Sequence, residues 1–584
     1  MDHLRVVRSE ARDRCLMPGA GSWGLIILFV VAWAISAGAD DATLAWAKRA
    51  GGGSTDEGAA IAVDDQGNTY VTGYFRLTAT FGAGDPTPVQ LTALGQDVFV
   101  AKYGPGGALR WVRQARSQAG WGSGVGVDAA GNCYVFGHFG PTISFASGTP
   151  QQVSFNALAN DLFLAKYDKD GNFLWAKQTH GSNSENANGI AVDHAGNSFV
   201  TGRYGSNPLT LGAGEPNQTA LPGLGRNNGE DVFIAKYDPT GQLLWAKSAG
   251  GTTGNGGMGI DIDDSGNAYV VGRYSGTATF GPGETHETVL KGPLGSNYEI
   301  FVAKYLSDGT LDWVRSGLGQ AEHDEGTAIA VDKDGNSYAT GTFRSRAPFA
   351  GELNQTQLDE GGSADIFVVK HDKDGNQQWV KMMVGPADEV STGIAVGSDG
   401  SSYVTAQGFY LVVGAGEDNE TSLSGEGQGD VFIAKLDTQG ELLWARSDGG
   451  LGDDRAMGIA VDETGGIHVV GRFGQTAVFG EGQPTRASLT SAGATDTFIA
   501  RYQQKVDVLQ PARFISYSLL PNNNPQLRFV GSAEKSYEVL RATTLTSSSW
   551  TAVGSVITDG SGNGSFEDQE EGLTFPAYYR VNGK

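Results

Sequence analysis

The sequence predicts an all-β chain, and three observations carry that prediction. Glycine supplies 88 of the 584 residues, too many for helices, while 39 % hydrophobic and 18 % charged content is too apolar for a disordered chain. Short apolar stretches alternate with small residues and are bounded by Asp, Gly and Asn, the pattern of strands joined by tight turns. A tryptophan-bearing cassette recurs seven times, which makes the chain a tandem repeat and not one conventional core.

The tryptophan is the clearest marker of the cassette. Trp46, Trp111, Trp175, Trp245, Trp313, Trp379 and Trp444 are spaced 65, 64, 70, 68, 66 and 65 residues apart, each in a segment like LAWAK or LLWAK. After it comes a strand of the GIAVD type (60–64, 189–193, 328–332, 458–462), a turn such as DHAGN and a strand of the YVTG type, which together read as a hairpin. A connection of about twenty residues follows, often containing TATFG, and is expected as a long loop. It leads into a third strand like DVFVAKY, a D-x-x-G turn and the next tryptophan strand.

Four antiparallel strands cannot close a core alone, and tandem copies are best covered when arranged radially as propeller blades. The repeat region opens on a lone tryptophan strand at 44–48 and ends on a third strand at 496–502. The expected fold is therefore a seven-bladed β-propeller of four-stranded antiparallel blades over 44–502, its N-terminal strand closing the last blade.

The pattern GIAVDxxGNxYVTG followed by DVFVAKYDxxGxLLWAK resembles the bacterial β-propeller repeat family known as SBBP, over 44–502. The resemblance implies a propeller fold and export, since members are mostly secreted proteins of unassigned activity. It carries over no active-site residues.

The flanks complete the domain organisation. Arg5, Arg8, Arg12 and Arg14, an apolar run over 25–35, and Ala37-Gly38-Ala39 have the order of a signal peptide over 1–39, with cleavage expected after Ala39. The apolar run is short for a membrane span, so no stable insertion of the mature chain is expected, and an uncleaved anchor is the alternative. Residues 503–510 read as a linker. Within 511–584, strands are expected at 527–530, 537–541, 550–556, 564–567 and 577–581, the makings of a small β-sandwich. That segment looks like the terminal modules of secreted bacterial proteins that end in a phrase like YYRV, here Tyr578 to Val581.

Composition excludes several functions. A net charge of −24 without a basic run repels nucleic acid and anionic lipid. Of the two cysteines, Cys15 falls in the expected signal peptide, leaving Cys133 without an internal disulfide partner. The histidines show no zinc-site spacing and no G-x-S-x-G is present. The YDPTGQLLWAK turn is similar to the tryptophan-docking motif of quinoprotein propellers, where the ring ties blades together. A quinone cofactor would further need a vicinal cysteine pair, which a lone Cys133 does not supply. The same turn resembles the sialidase Asp-box but is one residue too long, and no arginine triad or nucleophilic tyrosine can be assigned.

Three residue sets are candidates for function or architecture. The tryptophans are expected as packing devices. So are the acids opening each third strand, Asp97, Asp161, Asp231, Glu299, Asp365, Asp430 and Asp496, as acceptors of loop amides. In the loop entering each first strand the copies read Asp56, Gly120, Glu185, Asn255, Asp324, Glu389 and Asp454. At the end of each second strand they read Tyr74, His138, Arg203, Arg273, Thr342, Gln407 and Arg472. Asp56, Glu185, Asp324, Glu389 and Asp454 are expected to rim one mouth of a central channel, either neutralised by Arg203, Arg273 and Arg472 or open to a cation or cationic ligand. Turns such as Asp168 to Asn172, Asp332 to Asn336 and Asp372 to Asn376 read as plain hairpin turns, with calcium as the alternative. The expected function is a secreted or cell-surface, monomeric, non-enzymatic scaffold for a protein or glycan. The long connections, among them 205–229 with Asn207, Asn217, Asn227 and Asn228, would supply its contact face. The alternative is an extracellular polysaccharide hydrolase or lyase with its acids at the mouth.

Overall fold

The computed structural model describes residues 42–504 apart from 225–228, 252–253, 293–296, 318–322, 345–363 and 418, together with six strands between 513 and 583. The segment 1–39 expected as a signal peptide, with Cys15, Asn227, Asn228, residues 505–510 of the expected linker and Trp550 lie outside the described residues. The chain divides into two compact units, Ala39–Lys505 and one that includes Val506–Lys584. Every regular element among the described residues is a β-strand, and no helix there is long and apolar enough to cross a membrane.

One repeat shows how the sequence builds the rest. Gly256–Ile262, Ala268–Tyr274, Glu299–Tyr305 and Leu311–Ser316 pair antiparallel in chain order. The two middle strands are buried on both faces except at Arg273. They therefore read as near-continuous apolar runs, where a half-solvated strand would alternate. The turn between first and second strands is set by Asp263, which accepts the N–H groups of Ser265 (2.9 Å) and Asn267 (3.0 Å), and by Gly266 at φ +73°.

The same four-strand order recurs through the chain, with innermost strands at Glu57–Val63, Glu185–Val192, Gly256–Ile262, Glu325–Val331, Val390–Val396 and Arg455–Val461, and in the second half of Leu109–Val127. Each innermost strand packs on that of the next repeat, and Arg455–Val461 packs on Glu57–Val63, so the order closes on itself. In the last repeat the fourth strand is Ala42–Gly52, which pairs with Asp496–Gln504 from Ala42↔Gln504 to Ala50↔Thr497.

The long connections differ from the loops expected of them. Leu209–Leu211 with Thr219–Leu221, Thr277–Phe280 with Thr288–Lys291, Tyr410–Val413 with Thr421–Ser424, and Thr476–Phe479 with Ala487–Thr490 form additional hairpins. Several of them pair with the end of the preceding repeat's fourth strand, as in Gly250↔Thr279 and Gly449↔Val478. The cause is a period of two inside TATF: Ala278 and Phe280 are buried while Thr277 faces outward.

The C-terminal unit holds two three-stranded antiparallel sheets. Arg513–Leu519, Pro525–Val530 and Asn563–Glu567 form one; Thr551–Ile557, Ser536–Ala542 and Tyr578–Gly583 form the other. Arg513–Leu519 has no counterpart among the strands read from the sequence.

Candidate functional site

The repeated residues meet at the seams between consecutive repeats. Six of the tryptophans present their indoles to the turn before the following repeat's fourth strand, where the ring N–H donates to a backbone carbonyl. Trp46 reaches Pro105 (2.8 Å), Trp111 Lys169 (3.1 Å), Trp175 Pro239 (3.3 Å), Trp245 Ser307 (3.1 Å), Trp313 Lys373 (3.1 Å) and Trp379 Thr438 (3.0 Å). The turn glycine lies flat against the ring: a Cβ on Gly171 (φ +80°) would stand 2.7 Å from Trp111 Cδ2. The Trp444 indole N–H has no partner among the described residues. In the repeat that follows it, the third and fourth strands come from opposite ends of the repeat region, so no turn joins them.

The basic residue two positions after the tryptophan ties the same seam. Lys48 pairs with Asp85 (2.8 Å), Lys177 with Glu215 (2.5 Å), Lys247 with Glu284 (2.5 Å) and Lys381 with Glu417 (2.9 Å), each acid lying on the next repeat's hairpin. Where the next hairpin has Thr149 in place of an acid, the residue is Arg113, and its guanidinium donates to the Gly171 carbonyl (2.6 Å). Arg315 does the same to Gly375 (2.8 Å).

The acids opening the third strands accept local amides. Asp97 takes Ser117 N–H (2.9 Å), Asp231 Leu224 N–H (2.7 Å), Asp365 Gly385 N–H (3.0 Å), Asp430 Gly450 N–H (3.0 Å) and Asp496 Ala492 N–H (2.9 Å). Asp161 accepts the Gln178 side chain (2.5 Å), and Glu299 holds the same buried position.

The expectation of an open acidic mouth needs correction. Asp56, Glu185, Asp324, Glu389 and Asp454 are 0–1 % exposed. Their loop crosses from one repeat to the next and is pinned by its own backbone. Asp56 N–H donates to Thr495 O (2.9 Å), Glu185 to Asn160 O (3.0 Å), Asp324 to Tyr298 O (3.1 Å), Glu389 to Ala364 O (2.9 Å) and Asp454 to Gly429 O (3.0 Å). Four of these side chains consequently face the third-strand acid of the preceding repeat. Burial, with the neighbouring carboxylate adding to it, pushes Asp56 up to about 6 beside Asp496 and Glu185 up to about 8 beside Asp161. In the same way Glu389 rises to about 7 beside Asp365 and Asp454 to about 7 beside Asp430.

Nor do the Asp-rich turns converge as a metal site would. In each the first aspartate is committed to its own backbone: Asp168 accepts Asp170 and Asn172 N–H (3.0 and 2.8 Å), and Asp332 and Asp372 repeat the arrangement. Among the described residues no group of three or more His, Cys, Asp and Glu side chains is placed to hold a metal ion.

Side chains that vary between repeats gather where first strands begin and second strands end, as the register pairs Glu57↔Tyr74, Trp121↔His138, Gly256↔Arg273 and Arg455↔Arg472 show. The three arginines meet carboxylates other than the five buried acids. Arg203 pairs with Glu230 (2.9 Å), Arg273 with Glu325 (3.2 Å), and Arg472 with Glu57 (2.7 Å) and Asp453 (3.0 Å). Tyr74 packs on Trp121 with ring centroids 4.4 Å apart, and His138 lies nearly parallel to Trp121 at 6.3 Å. Burial, with Arg203 nearby, pushes the His138 imidazole down to about 4, so it is neutral at physiological pH. The Arg273 guanidinium lies 4.2 Å from the Tyr298 ring centre, and Tyr298 contacts His323 at 5.4 Å. Glu57, Trp121, Glu230, Tyr298, Glu325 and Asp453 were not singled out from sequence. Trp121 carried a usable signal, because it breaks the tryptophan spacing. On the hairpin side, Asn217 donates to Leu243 O (3.1 Å) and Asn207 accepts Gly223 N–H (3.1 Å), so both serve the fold.

Comparison with known proteins follows the repeat. Residues 45–74 match the SBBP β-propeller repeat family. The chain is 24 % identical over 544 residues to an uncharacterised WD repeat-containing protein of Acanthamoeba polyphaga mimivirus, a match covering 80 % of this chain and 39 % of that protein. It is 27 % identical over 216 residues to the regulatory protein FlaEY of Caulobacter vibrioides, covering 35 % of this chain and 20 % of that one. It therefore spans well under half the length of either relative. Among solved structures, a Synechocystis apocarotenoid oxygenase mutant gives a TM-score of 0.33 at 11 % identity, covering 80 % of this chain and 97 % of that one. A puromycin hydrolase mutant gives 0.32 at 13 % identity, covering 82 % and 58 %.

Proposed function

We propose that this β-propeller repeat protein is an exported, monomeric, non-enzymatic binding scaffold, folded as a seven-bladed ring with a C-terminal β-sandwich. Its ligand surface is the end of the ring where the innermost strands begin. One observation carries the reading: the residues shared by all repeats are consumed at the seams, while the residues that differ gather at that end as an aromatic cluster and a set of arginine–carboxylate pairs. Trp121 supplies a partly exposed ring backed by the buried Tyr74 and by His138, and the Arg203–Glu230, Arg273–Glu325 and Arg472–Glu57 pairs supply fixed donors and acceptors of balanced charge. Such a mixture suits a neutral glycan, whose C–H faces stack on rings and whose hydroxyls bond to charged pairs.

The polysaccharide-cleaving alternative would draw on Asp56, Glu185, Asp324, Glu389 and Asp454, and it is disfavoured because all five are buried, four of them against a third-strand acid. Glycan-array binding of the wild type, of Trp121→Ala and of Arg273→Ala tests the proposal. A hit weakened about tenfold or more by each change, roughly 1.4 kcal/mol, supports it. Sugar-end release by the wild type, or binding to a protein ligand that ignores both changes, refutes it. N-terminal sequencing of the exported chain checks the cleavage after Ala39.

A further inference from the structure

The buried acids that left the mouth recur as couples across the seams. Asp496 faces Asp56, Asp161 faces Glu185, Asp365 faces Glu389 and Asp430 faces Asp454. All eight residues are 0–3 % exposed. Asp161 faces Glu185, and the buried Asp161 Oδ1 and Glu185 Oε2 have no hydrogen-bond partner among the described residues, so a proton on one carboxyl is the donor that could join them. Two carboxyl groups can hydrogen-bond only if one of them carries a proton.

Two other seams vary the couple chemically. At one, Asn255 replaces the second acid, and its amide donates to Asp231 (3.4 Å) and to Glu230 O (3.1 Å) as a protonated acid would. At another, Gly120 removes the second group, and Asp97 is filled by Ser117 N–H and the Gln114 side chain. In both cases the couple is reduced to one carboxyl group.

We propose that the Asp161–Glu185, Asp365–Glu389 and Asp430–Asp454 couples retain a proton around neutral pH, and the Asp496–Asp56 couple, with Arg49 against it, only in mild acid, so that repeats are clamped to each other by shared protons and the ring is tightest in mildly acidic medium.

The charged surroundings agree. Around Asp161 and Glu185 lie Gln178, Ser206, the Gly181 N–H and His180. Around Asp430 and Asp454 stand Glu426, Asp448 and Asp453, of which Asp448 is held by Arg446 (3.0 Å) and Asp453 by Arg455 (2.8 Å) and Arg472 (3.0 Å). Glu389 faces Asp365 and Asp388, the latter paired to Arg344 (3.2 Å). The Asp496–Asp56 couple has a cation directly against it, Arg49 at 3.3 Å, alongside the Gly52 and Arg76 amides. It is also the couple whose second acid is displaced least, to about 6, against about 8 for Glu185.

The sign follows from linkage. An acid whose folded pKa lies above its unfolded value stabilises fully below the unfolded value near 4, and that stabilisation is lost as pH rises through the folded value. Thermal unfolding of the full chain in EDTA, followed from about pH 5 to about pH 8.5, is the test. The wild-type midpoint falls across this range. In Glu185→Gln and Asp454→Asn, which place a permanent donor where the proton sat, the fall is smaller, and at the alkaline end both variants melt above the wild type. Indicator dye at neutral pH reads about one proton fewer released on unfolding for Glu185→Gln than for wild type. Parallel pH profiles with equal proton release overturn the proposal. So does calcium raising the alkaline wild-type midpoint but not that of Glu185→Gln, since the couples would then hold a cation. A variant that does not fold leaves the other, and the wild-type proton release, to decide.

Discussion

Gly171→Ala against Gly148→Ala isolates what tryptophan docking contributes. Both glycines sit at φ +80°. A Cβ on Gly148 meets nothing within 4 Å, whereas on Gly171 it stands 2.7 Å from Trp111 Cδ2 and 3.0 Å from Cε3 and Cγ. Forcing an L-residue into this region costs about 1–2 kcal/mol at either site. Gly171→Ala must also push the indole off its turn, straining its 3.1 Å bond to Lys169 O, and such overpacking costs about 1–3 kcal/mol more. The expected losses are therefore about 1–2 kcal/mol for Gly148→Ala and about 2–5 kcal/mol for Gly171→Ala. Urea unfolding monitored by tryptophan emission measures both, with the slope m required to stay constant so that midpoints can be compared. Losses equal within about 0.5 kcal/mol would show that turn strain alone matters and that the ring contact is incidental.

Four other changes probe the remaining contacts. Trp245→Phe keeps the packing but drops the N–H to Ser307 O, for an expected loss of about 1 kcal/mol in the same assay; no change would count against the bond. A double-mutant cycle on Lys247 and Glu284, part-exposed at 30 % and 15 %, should give a coupling of about 0.5–1 kcal/mol that shrinks in high salt. Burial raises the Asp462 carboxyl, but bonds from His468, Thr464, Arg501 and the Gly466 amide outweigh it and hold the group well below the usual range. Its stabilisation is thus present above an unfolded value near 4 and lost in acid, so Asp462→Asn should destabilise at neutral pH and the gap should close as pH falls below about 3. Deleting 42–52 uncovers the edge of Asp496–Gln504 and should produce concentration-dependent light scattering; a monomeric variant with unchanged melting would refute the closure.

Much of the fold was legible because repetition advertises itself. The tryptophan spacing located every fourth strand, and Asp, Gly and Asn placed the turns, since only those residues satisfy the local backbone there. The extra hairpins were readable in TATF but were obscured by the Gly-rich phrase after it. The acid couples are a different case. Asp231 and Asn255 lie 24 residues apart, and Asp161–Glu185, Asp365–Glu389 and Asp430–Asp454 share that separation. Spacing alone could not say whether those residues face solvent or one another, because that depends on how consecutive sheets are set side by side. The aromatic and arginine surface was only partly visible. Arg203, Arg273 and Arg472 recur as one residue type at a repeat position, whereas Glu57, Glu230 and Tyr298 stand at positions where the residue type changes from copy to copy.

The pairing of Ala42–Gly52 with Asp496–Gln504 also bears on how a cell makes the protein. The Thr43 hydroxyl bonds the carbonyl of a residue 460 positions away. At synthesis rates of roughly 5–20 residues per second, the first strand waits on the order of 20–90 s for its partner. Throughout that interval it is an unpaired edge. Any chain that ends before the partner strand retains that edge permanently. The seam thus marks unfinished chains, offering proteases a segment that only a full-length product can hide.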